Sequence, residues 1–184
     1  MRPSVAYQGQ PGAFSHQACL AFLPEHEPVP KASFGAVIAA VSAGDTEVGV
    51  LPIENSAAGS VAEAQQLLAD CDLATIAEHW LPVRMHLLTL PGARLADIRR
   101  VTSHPVALAQ CAETLRALGL ATETAPNTAV AAQALATTAD RQSAVLASEA
   151  AAEAYGLTIL SRDVHDRPDN ATRFRVVGRP GDRA

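Results

Sequence analysis

SFGAVIAAVSAGDTEVGVL, residues 33–51, opens on a serine suited to cap a helix, places Val37, Ile38 and Val41 at helical spacing, and closes on the continuous apolar run Val48 to Leu51. It reads as cap, helix and returning buried strand. The same sentence recurs in NTAVAAQALATTADRQSAVLA, residues 127–147, where Asn127 or Thr128 caps a helix through Val130, Ala134 and Leu135 and Ser143 to Ala147 returns as a strand. From Ser33 to Val48 is 15 positions and from Asn127 to Ser143 is 16. A repeat of this kind predicts an α/β fold of two similar lobes.

Working outward, Val5 to Tyr7 is strand-like, Gly9 to Gly12 turns, and Phe14, Ala18 and Phe22 mark a helix. In the second half Arg100 to Thr102 extends, and Ser103-His104-Pro105 starts a helix predicted to run to Leu118, proline being favoured in a first turn. Ala121 to Thr124 extends again, and Ser148 caps a helix ending near Tyr155-Gly156. Residues 74–90 form a long extended stretch broken only at Pro82, which carries the chain from one lobe to the other. A last strand, Phe174 to Val177, returns to the first. The expected division is therefore 1–80 with 171–184 against 81–170, around a central cleft into which helix N-termini bring backbone N–H groups suited to anions.

Composition narrows the function classes. The chain has 184 residues, 48% hydrophobic but only 4% aromatic, so the core is expected to be Val, Leu, Ile and Ala. A formal charge of −5 without a Lys/Arg run argues against nucleic acid as a partner. Cys19, Cys71 and Cys111 form no C-x-x-C pair and the six histidines no H-x-x-x-H pair, so neither a disulfide framework nor a metal is expected. With no signal-like or membrane-length apolar segment, the expected location is cytoplasmic and away from the membrane.

Three segments carry chemistry-bearing side chains. Asp169-Asn170-Ala171-Thr172-Arg173-Phe174 sets a hydroxyl, a guanidinium and a ring where a loop meets a strand, and reads either as a site or as an edge strand with a surface arginine. Pro52 to Ser60 packs Glu54, Asn55, Ser56 and Ser60 into one loop before a helix, suiting either substrate recognition by Asn55 and Ser56 or helix capping. Ser103-His104 suits capping with ligand contact better than a nucleophile and base, because adjacent side chains diverge. Gly9 to Ser15 resembles a glycine-rich phosphate cradle only loosely, lacking both G-x-G-x-x-G and the Walker lysine, which argues against a nucleotide site. Leu108, Cys111, Leu115 and Leu118 read as a buried helix face.

Taken in order, five segments resemble the catalytic domain of prephenate dehydratase: Tyr7-Gln8-Gly9-x-x-Gly12-x-x-Ser15, Leu51-Pro52-Ile53-Glu54-Asn55-Ser56-x-x-Gly59-x-Val61, Val101 to Cys111, Tyr155-Gly156-Leu157, and Asn170-x-Thr172-Arg173-Phe174. The resemblance covers nearly the whole chain. It implies a two-lobed fold like type II periplasmic binding proteins and cofactor-free conversion of the dianion prephenate to phenylpyruvate, in phenylalanine biosynthesis. Thr172 matches the family's essential threonine. Val106, Asn127, Val130 and Arg175 depart from the family pattern. Only seven residues follow Val177, so the phenylalanine-binding regulatory domain common in the family is expected to be absent.

On that resemblance, Thr172 is expected to donate to the departing ring hydroxyl, Arg173 to grip the pyruvyl carboxylate and Phe174 to wall the ring. Asn55, Ser56, Ser103, His104, Gly12 and Ser15 are expected to bind or orient the substrate. A homodimer is expected from the relatives' assemblies. Rival readings are an arogenate dehydratase, a non-aromatising prephenate decarboxylase, and a non-catalytic module binding a small anion.

Overall fold

The structure, a computed structural model, describes residues 2–181. The chain runs β1 (Ser4–Gln8), α1 (Phe14–Phe22), β2 (Glu27–Lys31), α2 (Phe34–Ala43), β3 (Val48–Asn55), β4 (Gly59–Ser60), α3 (Ala62–Ala69) and β5 (Ala74–Pro82). It continues through β6 (His86–Thr89), β7 (Arg100–Ser103), α4 (Pro105–Gln110), α5 (Ala112–Ala117), β8 (Ala121–Thr124), α6 (Thr128–Ala136), β9 (Ser143–Ala147), α7 (Glu149–Tyr155), β10 (Thr158–Ser161) and β11 (Ala171–Gly178). Two units result. Among the described residues, the first takes those up to Gln10, Phe14–Val83 and those from Asp169 on, and the second takes Pro11–Ala13 and Arg84–Pro168.

In the first unit the sheet order is β2-β1-β3-β11-β5, with β4 hairpinned onto the end of β3. Strands β1, β2 and β3 are parallel, and β11 runs antiparallel to both β3 and β5. The second unit repeats this pattern as β8-β7-β9-β6-β10, three parallel strands followed by β6 antiparallel to β9 and β10. The cap-helix-strand repeat is thus α2 into β3 and α6 into β9. Ser33 Oγ accepts from Ala36 N at 3.2 Å and Asn127 Oδ1 from Val130 N at 2.7 Å, which makes Asn127 the second cap.

Each sheet is covered on its apolar faces. In the first unit α1 packs Ala18 and Cys19 against Val5, Tyr7, Val50, Phe174 and Val176 on one face, while Val37 and Ala40 of α2 meet Ala6, Leu51 and Val177 on the other. In the second, Ala131, Ala132 and Leu135 of α6 and Ala151 and Ala152 of α7 meet Leu88, Val145 and Ala147. Alanine at these contacts lets helices sit close to the strands.

Some elements depart from the sequence pattern. Pro28 and Pro30 lie within strand β2, which is possible because β2 is a sheet edge and pairs only with β1. The stretch 74–90 is two strands of different sheets, β5 and β6. The helix predicted from Pro105 to Leu118 breaks at Cys111, whose φ of −119° and ψ of 14° leave the helical well. Its second half is capped from a distance: Asp166 accepts from Glu113 N at 3.0 Å and Thr114 N at 3.2 Å, and its own N–H donates to Gln110 O at 2.8 Å. A carboxylate from the loop after β10 therefore replaces the backbone bonds that a continuous helix would make.

Candidate functional site

Antiparallel pairing of β11 with β3 sets Thr172 opposite Asn55 and Arg173 opposite Glu54. The side chains on the Thr172 face form a connected set. Asn55 Nδ2 shares its two protons among Asn170 Oδ1 at 2.9 Å, Thr172 Oγ1 at 3.0 Å and the more distant Ala171 O at 3.2 Å. Its Oδ1 accepts from Ala57 N and Ala58 N, both at 2.9 Å. Those two backbone donors fix which end of the amide is oxygen, so it is the amide nitrogen that meets the threonine.

Because Thr172 Oγ1 is the acceptor in that bond, the hydroxyl's own proton is not used there. The oxygen is held and polarised, and its hydrogen is left to be given to another group. Thr172 is 9% exposed. Ser56 grips the turn just before it: Ser56 Oγ donates to Asp169 O at 3.1 Å and accepts from Ala171 N at 2.9 Å. Ser15, in the first turn of α1 of the same unit, is also buried.

Strand alternation separates the members of the Thr172-Arg173-Phe174 trio. Phe174 follows Thr172 on the α1 face but is 1% exposed and packs into the core beside Phe22, with ring centroids 6.4 Å apart. It cannot present the apolar wall expected of it, because its surface is already spent on the protein interior. Arg173 points to the opposite face. There it pairs with Glu54 Oε2 at 2.7 Å and Glu78 Oε2 at 3.3 Å, and lies 5.6 Å from the Trp80 ring centroid. Arg173 therefore stands in a sheet-face cluster whose carboxylates are the protein's own. Arg175, unexplained by the sequence, completes that cluster through Glu78 Oε1 at 2.7 Å.

The second unit holds the remaining predicted residues. Ser103 is fully buried and its hydroxyl donates to Leu146 O at 2.7 Å, tying β7 to β9, so the side chain has no surface for a ligand. His104 is the N-cap of α4: Nδ1 accepts from Val106 N at 3.2 Å, which puts the proton of the neutral ring on Nε2. Gly12 is held against α7 by Ser148 Oγ, which donates to Gly12 O at 2.7 Å. With φ of +86° and an added Cβ only 2.7 Å from Ala151 Cα, no other residue fits there.

Two groups escaped the sequence reading. Asn170 reads in the sequence as loop punctuation, yet its side-chain Oδ1 accepts from Asn55; motif spacing alone carries that signal. Asp166 had no signal, since its N–H partners lie about fifty positions earlier.

Buried side chains elsewhere have shifted proton affinities. Burial pushes the Cys19 and Cys111 thiols up to about 12, so neither supplies a thiolate near neutral pH. Burial also lowers His86, against the opposing charge of Asp163, and its Nδ1 accepts from Asp163 N at 3.0 Å.

Two units with matching mixed sheets, one of which holds the Thr172 hydroxyl at a strand end, define a two-lobed α/β protein. The chain belongs to the prephenate dehydratase family, whose model matches residues 5–182. It is 43% identical over 97% of its length to arogenate dehydratase/prephenate dehydratase 2 of Arabidopsis thaliana, of which it covers 47%. It is 40% identical over 95% of its length to the bifunctional N-acyl-homoserine lactone acylase/prephenate dehydratase of Komagataeibacter europaeus, of which it covers 62%. Among solved structures, the prephenate dehydratase of Arthrobacter aurescens in complex with L-Phe superposes with a TM-score of 0.86 at 28% identity, over 97% of this chain and 61% of that one. The chain thus spans about half to two thirds of the length of these relatives.

Proposed function

We propose that the chain catalyses the decarboxylating dehydration of prephenate to phenylpyruvate, a step of phenylalanine biosynthesis in the cytoplasm. The carbon–carbon bond to the ring carboxylate breaks, its electron pair enters the ring, and the ring expels hydroxide at the opposite carbon. One proton must reach that hydroxide for water to leave, and aromatisation supplies the driving force. Thr172 gives the departing oxygen a hydrogen bond. The observation that carries this reading is the 3.0 Å bond from Asn55 Nδ2 to Thr172 Oγ1, which spends a lone pair and keeps the proton free.

A threonine hydroxyl is a weak acid, so it acts as a hydrogen-bond donor while the net proton comes from hydronium or a buffer acid, relayed through water; help of this kind is worth roughly 100-fold to 10,000-fold. Membership in a family of elimination enzymes supports the reaction class, and no helix among the described residues is long and apolar enough to cross a membrane.

Arogenate, in which an amine replaces the keto group of the side chain, is the second reading. It is favoured by the 43% identity to a relative named for both substrates. Incubation with each substrate in parallel, with phenylpyruvate and phenylalanine measured as products, tests both. Formation of neither phenylpyruvate from prephenate nor phenylalanine from arogenate would overturn the dehydratase reading, and a dihydro product would show decarboxylation without aromatisation.

A further inference from the structure

We propose that Ser56 is a positioning residue for Thr172 and not a substrate ligand. The inference rests on the reading of Thr172 as the hydroxyl donor, and deepens it. Ser56 stands just after β3 and makes three bonds to one turn. Its N–H donates to Ala171 O at 2.9 Å, its Oγ accepts from Ala171 N at 2.9 Å, and its hydroxyl proton goes to Asp169 O at 3.1 Å. A serine hydroxyl has one proton. While the clamp stands, that proton is engaged, and Ser56 has only acceptor capacity to offer, which the carboxylate and keto oxygens of the substrate cannot use.

The clamp acts where Thr172 is decided. Asp169 and Ala171 flank Asn170, whose Oδ1 is tied to Asn55, and Thr172 is the next residue in the strand. Ser56 and its partner Asp169 are exposed, so water can replace the lost bonds when the hydroxyl is removed and the fold survives. What water cannot replace is the fixed path of the turn. A misplacement of about 1 Å at a reacting group can lower turnover by about 100-fold, so loss of the clamp falls on kcat.

Four proteins test this on prephenate and arogenate: Ser56→Ala, Ser56→Thr, Thr172→Ala and the double variant Ser56→Ala/Thr172→Ala. Ser56→Ala is expected to lower kcat by about tenfold or more with KM within about twofold, and Ser56→Thr, which keeps the hydroxyl, to recover most of that loss. In the Thr172→Ala background Ser56→Ala is expected to change kcat by less than about twofold, because the group it positions is gone. A raised KM with unchanged kcat, or an undiminished effect of Ser56→Ala without Thr172, overturns the proposal.

Amide hydrogen exchange at Ala171 and Thr172, measured without substrate, gives a readout independent of activity. It should quicken in Ser56→Ala and return in Ser56→Thr. If the parent turned over neither substrate, the functional reading would fail while exchange still decided the clamp; unchanged exchange would overturn the clamp whatever the activity.

Discussion

Asn55 uses its amide fully: two backbone N–H groups occupy its oxygen, and its nitrogen serves Asn170, Ala171 and Thr172. The threonine therefore keeps one functional possession, its proton. Thr172→Ala is expected to lower kcat by roughly 100-fold or more with little change in KM, read by steady-state kinetics; a loss under about threefold would remove Thr172 from the chemistry. Phe174 answers differently. Its full burial predicts that Phe174→Ala costs about 3–5 kcal/mol of stability, measured by urea unfolding, with KM of the remaining folded enzyme little changed. The alternation of Thr172, Phe174 and Val176 with Arg173 and Arg175 is legible in the sequence as period two, and it separates the trio between two faces. The partner of Arg175 was not legible, because Glu78 lies 97 positions away.

At the scale of elements, helix caps were readable and the helix break was not. Ser33, Asn127 and Ser148 each sit three residues before the N–H they cap, a spacing local sequence reveals. Cys111 breaks its helix because of a loop far along the chain, which no local rule reports. That loop is held at two points. Asp166 caps α5, and His86 Nδ1 accepts the N–H of Asp163, whose carboxylate also pairs with Arg84 at 3.1 Å. Asp166→Ala should cost about 1–2 kcal/mol, with amide exchange quickening first at Glu113 and Thr114.

The two groups also fix the acid response of this loop. His86 is 3% exposed, and its charged form is opposed by burial and by Arg162 and His165, and favoured by Asp163 and Glu149. Its folded proton affinity lies below the unfolded one, so its contribution to stability is complete above about pH 6.5 and declines as pH falls below that value. Asp166 is destabilised as an anion by its burial, but the N–H groups of Glu113 and Thr114 outweigh this and lower it. Its contribution is present above about pH 4 and is lost in stronger acid. Unfolding free energy measured from pH 8 to 5 should therefore fall for the parent. For His86→Asn, which keeps an acceptor near Nδ1 but cannot titrate, the His86 part of that slope should vanish; an unchanged slope would assign it elsewhere.

At the scale of the whole molecule, the repeat at residues 33–51 and 127–147 disclosed two lobes, but the order in which strands join each sheet lay beyond sequence pattern. Pairing across a sheet is set by which apolar faces meet, and distant partners such as β11 with β3 and β5 leave no local mark. Counted across the sheet from its parallel edge, the first unit fills its positions in the chain order second, first, third, fifth, fourth. The second unit fills them fourth, second, first, third, fifth.

One order is the other rotated by a single step. If Gly178 were joined to the start of β1 and the chain opened between Pro168 and Asp169, both units would carry their strands in identical sequence. The join is short: Gly178 and Val5 are both neighbours of Val48, on opposite sides, so they stand about 10 Å apart. About three extended residues span that distance. A permutant opened at Asp169 is expected to fold with native far-UV circular dichroism and cooperative unfolding, and a chain that stayed unfolded would show that β11 must arrive last. Written from residue 169, the protein carries one strand order twice in tandem, and β11 is the leading strand of the first set, delivered from after the second.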